Sequence, residues 1–94
     1  MFQVGDAVTW SSQAMGCTKK KTGKVVRIMK KSELVGWRNP CRIAIDEFTN
    51  HKRMFDGYSI PGGADVGYLV EVIAGPNAAP RLYMPYPSKL MAAK

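Results

Sequence analysis

Basic side chains are concentrated in the segment GCTKKKTGKVVRI (16–28) and in the lysine pair that follows it. Lysine and arginine neutralise phosphates and release the counterions around a nucleic acid, which gives affinity without base specificity. We expect the three consecutive lysines to lie in the connection between the first two strands. A solvent-exposed turn whose charge serves only solubility remains the alternative. The candidate nucleic-acid-binding residues are Lys19, Lys20, Lys21, Lys24, Arg27, Lys30 and Lys31.

The net charge of the chain favours phosphate contact over a passive turn. The 94 residues carry +7 at pH 7 with a pI of about 9.7, values typical of proteins whose partner is a polyanion. The excess is one-sided, because seven basic residues stand against Asp6 alone in residues 1–31. Residues 32–71 contain four basic and six acidic residues. The predicted partner is therefore nucleic acid or a nucleoprotein.

Side chains suited to catalysis are few and poorly placed. His51 is the only histidine, and its polar surroundings FTNHKRMF predict an exposed side chain. Asp46 and Glu47 are adjacent, so on a strand they would point to opposite faces. The pair Gly62-Gly63 lacks the strand–turn–helix context of a phosphate-binding glycine loop. We therefore predict that the chain is not an enzyme and has no small-molecule substrate.

Cysteine and histidine are also too few for a zinc site, which needs about four ligands. Cys17 and Cys41 stand alone, 24 residues apart. They could form a disulfide, but two reduced thiols are favoured in a cytosolic chain. No apolar run approaches the roughly 18 residues of a membrane span. We also expect no leader peptide, because MFQVGD (1–6) has no basic region followed by an apolar one. We predict a cytoplasmic protein without a membrane partner, a metal or a cofactor.

Short runs of β-forming residues, separated by turn residues, make up most of the remaining sequence. Together they predict a mainly β fold, a small antiparallel barrel of about five strands. Prolines end the last run, which suits an edge or terminal strand. In the second run, apolar and basic residues share both faces unless a bulge near Val26 brings Val25 and Ile28 to the same side. The four runs are AVTW (7–10), KVVRIM (24–29), YLVEVI (68–73) and RLYMPY (81–86).

The segment 32–66 is a long insertion between predicted core strands. Cys41, Ile43 and Ile45 alternate as in a strand. Asn39 followed by Pro40 instead signals the start of a helix reaching to about Met54. Residues 59–67 are expected to form a flexible loop. We predict an extended loop with one short element, either a strand or a two-turn helix.

Two motifs resemble the opening of SH3-like barrels of the KOW and Tudor kind. FQVGDAVTW (2–10) resembles their glycine–aspartate turn and first strand, and KTGKVVRI (21–28) resembles their Gly-x-Val-x-x-Ile second strand. With GYLVEV (67–72) and RLYMPYPSKL (81–90), the chain is also similar to a group of small bacterial and phage proteins. The resemblance covers residues 2–31 and 66–91 and implies one SH3-like domain over 1–94 with 32–65 inserted. Such barrels bind RNA, DNA, peptides or proteins.

Aromatic residues form a second set of candidate contacts, because exposed rings stack on bases or cage methylated side chains. For Trp10, Tyr68 and Tyr83 the favoured interpretation is a half-buried core. Trp37 lies in the insertion, where an exposed indole would mark a contact with another protein. The candidate partner contacts are Trp10, Trp37, Tyr83 and Tyr86.

The sequence leaves two functions open. The main hypothesis is a non-catalytic binding module that contacts nucleic acid or a nucleoprotein through the basic segment 19–31. The alternative is a phage or mobile-element inhibitor that binds a host protein complex, for example a CRISPR-type defence complex. In that alternative, residues 34–37 and the loop 61–63 make the contact.

Overall fold

Six strands form one open sheet in the computed structural model, which describes residues 2–14, 16–56, 59–73 and 75–93. The strands are β1 (Ala7–Ala14), β2 (Cys17–Lys30), β3 (Lys52–Arg53), β4 (Val66–Val72), β5 (Arg81–Tyr83) and β6 (Met91–Ala92). Their order is β3-β5-β4-β2-β1-β6, antiparallel throughout except for the β3–β5 pair. The mainly β prediction is confirmed, but the sheet has two outer strands and is not closed into a barrel.

The first two strands form a hairpin that is longer than predicted. β1 continues past Trp10 to Ala14, and pairing between the two strands runs from Ala7 opposite Lys24 to Ala14 opposite Cys17. The predicted loop position of the lysine run is therefore wrong, because residues 19–21 lie inside β2. Gly16, with a φ of +81°, lies in the tight connection instead. Backbone pairing along the whole hairpin outweighs the weak local preference of lysine for loops.

Gly23 lies within β2 and is not part of a turn. Its φ is not positive, so the residue is required for close approach and not for a left-handed conformation. A Cβ at this position would lie only 2.5 Å from the carbonyl oxygen of Glu71 on β4. The glycine therefore lets the backbone of β2 approach β4 closely at this position.

The bulge predicted near Val26 is confirmed. The register between β2 and β4 shifts between Val25 and Arg27, which leaves Val26 without a partner in the ladder. As a result Val25 and Ile28 pack on one side of the sheet, while Val26 and Met29 pack on the other. The bulge thus allows both sides of β2 to contribute apolar side chains.

Each side of the sheet carries its own apolar cluster. On the concave face, the rings of Trp10 and Tyr83 lie 5.7 Å apart, although β1 and β5 would be about 14 Å apart in a flat sheet. The sheet therefore curls around this face. The cluster of the concave face consists of Val8, Trp10, Val25, Tyr68, Val70 and Leu90. That of the opposite, helix face consists of Met29, Ile43, Ala44, Leu69, Leu82 and Met84.

A helix in the insertion is confirmed and the strand interpretation is wrong, but the helix ends at Glu47 and not at about Met54 as predicted. Asn39 is the N-cap of helix α1 (Pro40–Glu47). Its side chain accepts a hydrogen bond from the backbone N–H of Arg42 at 2.9 Å. Ile43 and Ala44 are buried against the helix face of the sheet. The insertion also contains β3 and short 3₁₀ helices at Lys31–Glu33 and Pro61–Gly63. It therefore has more structure than the single short element predicted.

The predicted edge position of the RLYMPY run is wrong. β5 pairs with β4 on one side and with β3 on the other. The strand ends at Tyr83, before Pro85, so the proline does not interrupt the ladder. A third 3₁₀ helix, Pro87–Lys89, then leads into β6, which pairs with β1.

Candidate nucleic-acid interface

The outer part of the β1–β2 hairpin extends beyond the rest of the sheet. β4 pairs with β2 only from Lys24 onwards, and β6 pairs with β1 only at Val8 and Thr9. Residues 10–14 and 17–21 consequently form a two-stranded segment, here called the ribbon, with no third strand among the described residues. Five residues of each strand give it a length of about 16 Å.

Lysines lie on both faces of the ribbon. Lys21 is opposite Trp10 and shares the concave face with Lys19, whereas Lys20 and Lys24 point to the opposite side. Lys19 and Lys20 are exposed. The positive charge therefore surrounds the ribbon and does not form a single basic face.

Arg27 is committed to contacts within the protein. Its guanidinium lies 3.1 Å from a carboxylate oxygen of Glu47 on α1 and 3.3 Å from one of Glu33. It also donates to the backbone carbonyl of Ile28 at 2.6 Å. Its prediction as a phosphate contact is not supported by this geometry, because two carboxylates already neutralise it. The bulge turns Arg27 towards the helix, which strict strand alternation could not predict.

Lys30 and Lys31 lie at the far end of β2. Lys30 lies ten positions beyond Lys20, which corresponds to about 33 Å of path along an extended strand. The backbone N–H of Lys31 donates to the carbonyl of Asp65 at 2.8 Å, beside a shallow groove of about 450 Å³. The seven predicted basic residues thus fall into three places: the ribbon with Lys24 at its base, the ion pairs of Arg27 on the helix face, and the far end of β2.

Trp10 and Tyr83 belong to the concave face. Trp10 is only 5% exposed, so it lies deeper in the core than the half-buried position expected, and little of its indole surface is left for a direct partner contact. Tyr83 is half-buried, and its ring lies 4.6 Å below the ammonium of Lys21. The same ammonium donates to the Tyr83 hydroxyl at 3.3 Å. Lys21 therefore joins the ribbon to β5.

The environment of Tyr83 predicts an unusual titration. Burial raises the pKa of its phenol, but hydrogen bonds and positive charge from Lys21 and Arg81 outweigh burial and hold the pKa below 10.0. The phenolate therefore forms more readily in the folded protein than in the unfolded chain. The lowered pKa stabilises the folded protein at pH values above the ordinary tyrosine pKa, and that stability is lost as the pH falls through the folded pKa.

Lys21→Met should move the pKa of Tyr83 upwards, measured as absorbance at 295 nm after subtraction of a Tyr83→Phe titration. The matched charge loss Lys24→Met should not, and equal shifts in both variants would contradict the contact.

The other two predicted aromatic contacts are exposed. Trp37 is 81% exposed, with the Arg42 guanidinium 5.8 Å from its ring centroid. Shallow grooves of about 350 and 440 Å³ lie on either side of the indole. Tyr86 is 52% exposed and lies under Lys89 at 5.5 Å. The sequence predicts a contact with another protein if Trp37 is exposed, and the structure shows that it is exposed.

The prediction that His51 is exposed is wrong. Its side chain is 16% exposed, and its Nε2 lies 2.7 Å from a carboxylate oxygen of Glu71 on β4. Phe48 packs edge-on against the imidazole at 5.3 Å. The polar neighbours of His51 in sequence suggested solvent, and no local signal pointed to a carboxylate twenty positions away. The pair connects the chain after α1 to the sheet.

Other groups suited to chemistry are dispersed. Asp46 pairs with Arg42 at 3.3 Å and Glu47 pairs with Arg27, so the two carboxylates do not share a site. Within the described residues, no three His, Cys, Asp or Glu side chains are grouped to hold a metal ion. Cys41 is buried in α1, and burial raises the pKa of its thiol.

Comparison with known proteins adds no assignment. The chain matches no protein-family model, no curated protein and no solved structure. Among the described residues, no helix combines the length and the apolar character needed to cross a membrane.

Proposed function

We propose that this chain is a small, non-catalytic binding module that contacts nucleic acid through the ribbon. The observation that carries the proposal is a two-stranded segment that pairs with no third strand of the described residues and has lysines on both faces. Residues 7–26 contain four lysines and no carboxylate. Charge of one sign on such a segment attracts a polyanion.

The shape of the ribbon favours duplex DNA. The major groove of B-DNA is about 12 Å wide and admits a two-stranded β-ribbon. The two phosphate backbones border this groove. The lysines on each face of an inserted ribbon can therefore contact one of the two backbones. The major groove of A-form RNA is deep and narrow and excludes such an element. We therefore expect duplex DNA to bind more tightly than duplex RNA.

The finer fold assignment belongs to the same proposal. We propose a curled sheet related to the SH3-like barrels of the KOW and Tudor kind, with residues 32–65 inserted, in a cytoplasmic protein. The curl of the concave face and the pairing of β6 with β1 support it. The close approach at Gly23 supports it as well, since that glycine belongs to the motif that carries the resemblance.

A charge-reversal pair tests the ribbon. Lys19→Glu/Lys20→Glu should weaken binding to labelled duplex DNA at least about tenfold at low salt. The slope of log K against log salt should become shallower by about 0.9 for each phosphate that the variant no longer neutralises. Lys21 is left unchanged because it packs on Tyr83. Fluorescence anisotropy across a salt series measures both quantities.

The matched control is Lys30→Glu/Lys31→Glu, which changes the net charge equally at the other end of β2. It should weaken binding much less than the ribbon variant. Equal weakening in both variants would mean that net charge, and not the ribbon, determines affinity. Absence of binding by the unchanged protein at low salt would reject the nucleic-acid proposal altogether.

The exposure of Trp37 favours a second candidate, a phage or mobile-element inhibitor of a host protein complex such as a CRISPR-type effector. Solvent-exposed tryptophans are rare on surfaces that bind nothing, and tryptophan is enriched among residues that dominate binding energy. Exposed Ile45 lines a groove together with the indole, and exposed Val35 lies two positions before Trp37 in the chain. In this case Trp37→Ala would abolish inhibition, whereas Lys19→Glu/Lys20→Glu would affect it less.

A further inference from the structure

Two cations and a phenol converge where the ribbon meets the sheet. Lys21 of β2 donates to the Tyr83 hydroxyl at 3.3 Å. Arg81 lies two residues before Tyr83 on β5, so both side chains point to the same face. Positive charge from Arg81 also acts on the phenol and helps to hold the pKa of Tyr83 below its ordinary value. All three residues are partly accessible to solvent.

This cluster contains no acidic partner. The ion pairs of the described residues involve Arg27, Arg38, Arg42, His51 and Arg53, and neither Lys21 nor Arg81 is among them. The nearest carboxylate in sequence, Glu71, pairs with His51. Two positive charges, on Lys21 and Arg81, therefore act on the same partly buried phenol, and neither forms an ion pair with a carboxylate. This arrangement favours the binding of an anion.

The Tyr83 hydroxyl can also donate a hydrogen bond. Its oxygen accepts a hydrogen bond from Lys21, and no acceptor among the described residues binds its proton. A phenol can accept and donate at the same time. An anion between the two cations would therefore receive a third hydrogen bond from this hydroxyl.

We propose that Lys21, Arg81 and Tyr83 bind one phosphate of the nucleic-acid backbone at the base of the ribbon. The inference rests on the proposed function and assigns to it a fixed phosphate site. Arginine and lysine donate to the phosphate oxygens, and the Tyr83 hydroxyl donates to a third position. The bound phosphate fixes the register of the ribbon on the nucleic acid.

Lys21 is better suited to this role than the other ribbon lysines. Its ammonium is held by the Tyr83 ring and hydroxyl, and Arg81 lies on a strand that is paired on both sides. Binding therefore costs little side-chain entropy at this site. Lys19 and Lys20 are exposed, and each must be ordered when it meets a phosphate.

Two measurements on the full chain test the site. The first follows the Tyr83 ring resonances by NMR while sodium phosphate is added, against sodium chloride at equal ionic strength. Phosphate should shift these resonances in the unchanged protein and in Lys24→Met, but not in Lys21→Met or Arg81→Met.

The second experiment measures duplex DNA binding, which Lys21→Met and Arg81→Met should each weaken about tenfold. Lys24→Met removes the same charge from the opposite face and should weaken it only about twofold.

The outcomes separate this site from the ribbon itself. If phosphate shifts Tyr83 no more than chloride does while DNA still binds, the phosphate site is wrong and the proposed function stands. If DNA binds and Lys21→Met weakens it no more than Lys24→Met, the site is equally wrong. If phosphate shifts Tyr83 but no DNA binds, the anion does not come from nucleic acid and both proposals are overturned. Unchanged NMR spectra away from the site show that each variant is folded.

Discussion

Replacing Trp10 with alanine is expected to lower the free energy of unfolding by about 3–5 kcal/mol. The indole is buried in the concave face, where it packs against Tyr83 and the cluster that includes Val8 and Leu90. Removing it leaves a cavity that the paired strands cannot close, because backbone hydrogen bonds fix their spacing. Urea unfolding followed by circular dichroism measures the change.

A second variant covers the case in which Trp10→Ala does not fold. Small domains have a free energy of unfolding of about 5–15 kcal/mol, so the truncation to alanine can remove most of it. Trp10→Phe keeps a ring in place and should lose a smaller part of the stability.

Trp37→Ala is the matched control for Trp10. The same chemical change at an 81% exposed side chain should alter the free energy of unfolding by less than about 0.5 kcal/mol. Because the chain has two tryptophans, each variant also isolates the fluorescence of the other. Emission from Trp10 should be blue-shifted relative to that from Trp37. Similar decreases in stability in both variants would contradict the assignment of Trp10 to the core and Trp37 to the surface.

Gly23→Ala is expected to destabilise the protein by about 1–3 kcal/mol, the range for an overfilled core. The added Cβ would lie 2.5 Å from the Glu71 carbonyl oxygen and 2.7 Å from a methyl group of Val70. The first contact is with backbone, so it can be relieved only by moving β4 away from β2. Thermal and urea unfolding measure the change.

Gly75→Ala is the control for Gly23, since no atom lies within 4 Å of its Cβ position. It should be neutral or slightly stabilising, because alanine restricts the unfolded chain more than glycine does. Should Gly23→Ala unfold at the same urea concentration as Gly75→Ala, the close approach of β2 and β4 would be wrong.

Features of the fold that depend on local pattern could be predicted from the sequence. The position of β-forming runs predicted the core parts of β1, β2 and β4, and the mixture of apolar and basic residues around Val26 predicted the bulge. Asn39 and Pro40 supplied a true helix-start signal. In each case, neighbours in sequence carry the information, because capping and side-chain alternation act over a few residues.

Features that depend on distant partners could not be predicted. Lysines 19–21 are weak strand formers, and only pairing with β1 places them in β2. The ion pairs of Arg27 and the contact between His51 and Glu71 join residues six to twenty positions apart. The approach of Lys21 to Tyr83 spans 62 positions and depends on the curl of the whole sheet. The basic composition of the candidate site was visible in the sequence, but the ion pairs of Arg27 and the contact of Lys21 with Tyr83 were not.

The free edges of the ribbon have a consequence for self-association. Beyond Thr9 and Gly23, no strand of the described residues covers the outer backbone groups of the hairpin. Such edges can accept a strand from another molecule, and exposed lysines are a common protection against that pairing. Repulsion between the lysines of two ribbons opposes such pairing. Under the proposed function, a bound polyanion would neutralise these lysines and weaken the repulsion, which would favour edge-to-edge pairing of neighbouring copies.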